Sequence, residues 1–94
     1  MHVQQAEPLE DPRRALRLIL KLCKRRHLPR EAGLWASAAL KQANGIFYRI
    51  GARERHGGEA TPVHRALLLD IHTEALSWLK YCWTTYADIL KTKA

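Results

Sequence analysis

Ninety-four residues leave room for one domain. Apolar residues make up 47% and charged residues 27%, a globular rather than a disordered composition, and nine glycines and prolines gathered at a few points exclude a many-turned all-β fold. Sixteen Lys and Arg against nine Asp and Glu leave a net charge of +7, the balance of a protein that meets an anionic partner or surface.

Residues 1–11 carry Glu7, Glu10 and Asp11 with no lysine or arginine, and read as a flexible tail ahead of a single helical domain over 12–94. No apolar core of a secretory signal follows Met1, and the apolar run at Leu67-Leu68-Leu69 is far short of the ~20 residues that span a bilayer. Cys23 and Cys82 lie far apart, without CxxC or Cys/His ligand spacing, and fall on apolar helical faces, as buried reduced thiols do. A soluble cytoplasmic protein is the expectation.

Asp11-Pro12 is a helix start, with Asp as the N-cap and Pro at the first helical position. The helix it opens is predicted over 12–27. Arg13, Arg14, Arg17, Lys21, Lys24 and Arg25 share about a third of its wheel, and leucines with Ile19 and Cys23 hold the rest. Pro29 closes it, because the residue before a proline is pushed out of the helical region. A second helix follows over 30–55, with Trp35, Ala36, Ala39, Ala43, Ile46 and Ile50 at steps of three and four. Its alanines let a neighbour approach closely. Gly45 weakens this helix without breaking its phase, and a fourth helix arises only if the chain does break there. The segment His56 to Ala60 is a loop, and Thr61-Pro62 repeats the start signal for a third helix over 62–91. The predicted fold is all-α: a long antiparallel hairpin of the second and third helices, with the short basic helix packed across it.

The third helix is apolar around roughly half its circumference, wider than the ~100° stripe of a surface helix. Leu67, Ile71, Trp78 and Ile89 lie along one edge, Leu68, Ala75, Cys82 and Tyr86 in the middle, and Leu69, Leu76, Leu79, Trp83 and Leu90 along the other. One partner helix cannot cover this arc. Association through it is expected, either in an oligomer or with a partner protein, and Leu68, Trp78, Leu79, Trp83 and Tyr86 are the candidate interface residues.

The charge is concentrated elsewhere. Residues 11–30 hold eight bases and one acid, half of all the basic residues in a fifth of the chain. Six of the eight are arginines, whose planar fork suits phosphate oxygens. The sequence therefore points first to a non-catalytic nucleic-acid-binding subunit that contacts the phosphate backbone of RNA or DNA through Arg13, Arg14, Arg17, Lys21, Lys24 and Arg25. In size and charge it is similar to small helical subunits of ribonucleoprotein assemblies, without a shared motif. The alternative is an adaptor or regulator that docks an acidic partner, or self-associates through its last helix. No zinc-finger spacing, RNP sequence or GxxG clamp is present.

No catalytic constellation emerges. His64 and His72 stand two turns apart and about 80° round the wheel, HExxH is absent, and neither Ser37 nor Ser77 has an adjacent base. Neither an enzyme nor a cofactor is expected.

Overall fold

The computed structural model describes residues 9–93, with side chains over 9–85. These residues form helices α1 (Arg13–Lys24), α2 (Arg30–Arg55) and α3 (Pro62–Lys93), with no strand among them. None of the helices is long and apolar enough to cross a membrane.

Helices α1 and α3 start where a side-chain oxygen accepts a backbone N–H of the first turn. The Arg13 N–H donates to Asp11 Oδ1 (3.1 Å) while Pro12, already helical in its backbone angles, accepts from Leu16 N–H (2.9 Å). At α3, Thr61 Oγ1 accepts the His64 N–H at 3.1 Å. The end of α1 comes earlier than the expected residue 27, because the chain closes in a Schellman turn. The His27 N–H reaches back to the Leu22 carbonyl (2.9 Å) and the Arg26 N–H to that of Cys23 (3.0 Å). Helix α2 ends the same way, with Gly58 N–H on Arg53 O (2.8 Å) and Gly57 N–H on Glu54 O (3.0 Å).

Helix α2 runs unbroken through Gly45, so the described residues form three helices rather than four. A Cβ built at Gly45 meets nothing within 4 Å. Gly45→Ala is therefore expected to raise stability by about 0.5 to 1 kcal/mol, through the unfolded chain's lost freedom. Thermal unfolding with a midpoint a few degrees above the parent's is the check.

The core lies along one side of α2, where Ala32, Ala36, Ala39, Ala43, Ile46 and Ile50 are buried. Helix α1 contributes Leu16 and Ile19, and α3 contributes Leu68, Ile71 and Ala75. Gly33 sets the approach of α1 to α2, since a Cβ there would stand 3.3 Å from Cys23 Sγ. That thiol donates to the Pro29 carbonyl (3.5 Å), and burial pushes its pKa above the ordinary value, which suits an unreactive packing residue. On the other flank of α2, Trp35 and Ala39 share a cleft with Leu67 and Ile71 of α3.

Candidate functional site

Five of the six predicted basic residues, Arg14, Arg17, Lys21, Lys24 and Arg25, are exposed along α1 and its C-terminal cap. No carboxylate among the described residues comes within ion-pairing distance of any of them. An ordinary solvated face mixes signs and pairs them, so a single-sign face without partners has a field to offer a ligand.

Arg13 does not belong with them. Its guanidinium makes a two-pronged contact with Asp11, Nε to Oδ1 at 2.9 Å and a terminal nitrogen to Oδ2 at 2.7 Å. It also lies over the Phe47 ring, 4.1 Å from the centroid. The hydrogen bonds from Arg13 hold the Asp11 carboxyl below its ordinary pKa. Their stabilising contribution is thus present above the usual carboxylate range and fades as pH falls through the lowered value. Asp11, just two residues upstream, turns Arg13 from a ligand-binding candidate into a tie between the start of α1 and α2.

Two apolar troughs flank the end of α1. Between α1 and α3, Leu18, Leu22, Leu79, Cys82 and Trp83 line a cavity of about 660 Å³ with Arg26 and His27 at its edge. At the corner of α1 and α2, Leu20, Cys23, Leu28 and Leu34 floor a second of about 670 Å³, edged by Lys21, Lys24, Arg26 and Arg30. Among the described residues, neither cavity has an acidic residue in its lining. Trp83 leaves 71% of its surface in water, Leu34 63% and Leu18 45%, so these troughs present apolar surface directly beside cations.

Arg26 edges both cavities. It also holds a left-handed backbone, φ 62°, at the position where the turn after α2 uses Gly57 with φ 80°. An L-residue with a Cβ is disfavoured there by about 1 to 2 kcal/mol, and glycine is the usual solution. Replacing Arg26 with glycine is expected to stabilise the fold by roughly 1 kcal/mol while removing the cation common to both troughs. Chemical denaturation measures the first effect, and ligand affinity the second. The helical wheel does not single out Arg26, His27 or Arg30. A local signal for Arg26 exists nonetheless: Pro29 ends the helix with no glycine ahead of it, so a residue bearing a side chain must take the left-handed position.

The predicted interface residues separate. Leu68 is fully buried and belongs to the core, so it is not available to a partner. It turns inward because α1, α2 and α3 converge on the middle of the α3 apolar arc, where Leu68 and Ala75 sit. Trp78 is half-buried and meets the Tyr81 ring edge-on, with centroids 5.9 Å apart. Leu79 is half-buried in the α1–α3 trough and Trp83 is exposed, whereas Tyr86 lies outside the described side chains. Leu69 and Leu76, on the outer edge of the same arc, are also about half exposed.

No three His, Cys, Asp or Glu side chains among the described residues converge as metal ligands would. His72 Nε2 lies 3.5 Å from Glu10 Oε2, and the buried Nδ1 atoms of His64 and His72 find no hydrogen-bond partner among the described residues. Set against known protein families, characterised proteins and solved structures, the chain matches none of them.

Proposed function

We propose that this chain is a non-catalytic adaptor that docks an acidic amphipathic helix of a partner protein at the end of α1. The observation that carries the reading is the pairing of apolar troughs with edges whose charged groups, among the described residues, are all basic: Leu18, Leu22 and Trp83 beside Arg26 and His27, and Leu34 beside Lys21, Lys24 and Arg30. A helix with a leucine face and glutamate flanks uses both properties at once, the face filling a trough and the flanks meeting the cations. The frame behind the surface is an antiparallel hairpin of α2 and α3, with the basic α1 laid across it.

A second reading is nucleic-acid binding through the phosphate backbone. The run of exposed bases from Arg14 to Arg25, with no carboxylate of the described residues at ion-pairing distance, supports it. It uses the charge but leaves the troughs wet, which is why it ranks second.

One titration series separates the two. The probes are a fluorescent peptide with leucines on one helical face and glutamates beside them, the same peptide with lysines for glutamates, single-stranded polyuridylate, and duplex DNA of random sequence. Preferential binding of the leucine–glutamate peptide is the expected result. Tighter binding of either nucleic acid overturns the adaptor reading and establishes the second.

A further inference from the structure

The two troughs lie on opposite sides of α1. Leu18 and Leu22 line the one shared with α3, and Leu20 and Cys23 the one shared with α2. At 100° per residue these pairs stand about 150° apart on the helical wheel. The exposed bases Arg14, Arg17, Lys21 and Lys24 form the ridge between them. A rod laid lengthwise on α1 therefore reaches one trough only. Arg26 marks the way round. It follows the C-cap residue Arg25, in the turn that joins α1 to α2, and it lines both cavities.

We infer, on the docking reading above, that a single partner helix fills both troughs at once. It crosses α1 at this turn, with an acidic side chain in the middle of its own apolar stripe set against Arg26. A helix with its side chains is ~10–12 Å across, so troughs on either side of α1 are separated by roughly that distance. At 1.5 Å per residue this is about seven residues of the crossing helix, or two turns. Its apolar anchors then stand at i and i+7, with i+3 and i+4 between them on the same face. Those middle positions come over Arg26.

In an ordinary amphipathic helix the middle of the stripe is apolar. A leucine there would cover the guanidinium of Arg26 without pairing it, and among the described residues no acid lines either trough to do so instead. A glutamate or aspartate supplies the missing charge and planar acceptor pair. The backbone points the same way. Arg26 holds φ 62° at the position where the turn after α2 has Gly57. A side chain kept where the backbone disfavours one marks a use for it, and the guanidinium is what glycine lacks.

Isothermal titration of the full chain tests the crossing with two helical peptides. Both carry leucines at i and i+7 and glutamates on the flanks; one has glutamate at i+4 and the other glutamine. The expected stoichiometry is one peptide per chain. Leu34→Ser on one side and Trp83→Ser on the other should each weaken that single event at least fivefold. Both side chains are mostly in water, so helical circular dichroism should not change. Replacing the central glutamate by glutamine should lose about fivefold against the parent, the upper end for an exposed ion pair. Against Arg26→Gln it should lose almost nothing, because the coupling belongs to that pair. Two peptides per chain, a response to only one of Leu34 and Trp83, or an equal loss against parent and Arg26→Gln overturns the crossing and leaves the docking reading intact. No binding of either peptide overturns both.

Discussion

Glutamine at Lys21, Lys24, Arg26 and Arg30 together is expected to lower affinity for the leucine–glutamate peptide by between about 30-fold and about 1,000-fold, at roughly 0.5 to 1 kcal/mol for each exposed cation removed. All four are exposed and have no carboxylate partner among the described residues, so replacing them breaks no ion pair among those residues. Glutamine at position 26 bears the same left-handed backbone cost as arginine, which keeps stability level. The loss should shrink as salt rises, because the screening length falls from ~10 Å at 0.1 M to ~3 Å at 1 M. The residual affinity at high salt reports the apolar troughs. Arg13→Gln is the informative contrast: it removes one charge of the same sign, yet its guanidinium is engaged by Asp11 and Phe47. That variant should lose stability and leave peptide affinity almost unchanged. Isothermal titration at two salt concentrations, paired with thermal melts, resolves these outcomes. A quadruple variant that binds as tightly as the parent at low salt would place the docking surface elsewhere.

Leu16→Ala is expected to cost about 2 to 5 kcal/mol, a large part of the 5 to 15 kcal/mol that holds a domain of this size. Helix α1 has only twelve residues, too few to be helical alone in water, so its structure depends on docking. Leu16 and Ile19 are its fully buried side chains, and truncating one removes much of what fixes α1 to the other two helices. The binding surface should fail with it, because both troughs use α1 as a wall. Urea unfolding gives the stability, and peptide binding to the folded fraction gives the function. A loss below 1 kcal/mol would mean that α1 is held by its polar ties instead.

The elements were legible because their signals are local. Asp11-Pro12 and Thr61-Pro62 mark starts by hydrogen bonds that span two or three residues, and both operate as the sequence predicts. The continuity of α2 through Gly45 was legible from the phase of Ile46 and Ile50 with Ala39 and Ala43. What sequence could not divide was the arc of α3. Its periodicity says that Leu68 and Leu69 are both apolar. Which of them faces the core depends on where α1 and α2 lie, and that is tertiary information. Arg13 separates from the rest of the basic stripe for a different reason. A helical wheel counts charges inside the helix and overlooks the acid just ahead of it.

The alanines of α2 bear on how the chain tolerates change. Alanine surrenders no rotamer freedom when it is buried, so the face at Ala32, Ala36 and Ala43 is ordered at almost no side-chain entropy cost. Any larger residue there has to be frozen as well as fitted, and both requirements act against it. Ile46 and Ile50, one to two turns further on, already bear that cost and can exchange with other aliphatics of similar volume. Substitution profiles along this one helix should therefore change character near its middle, narrow and size-limited over its first half, broader and merely apolar over its second.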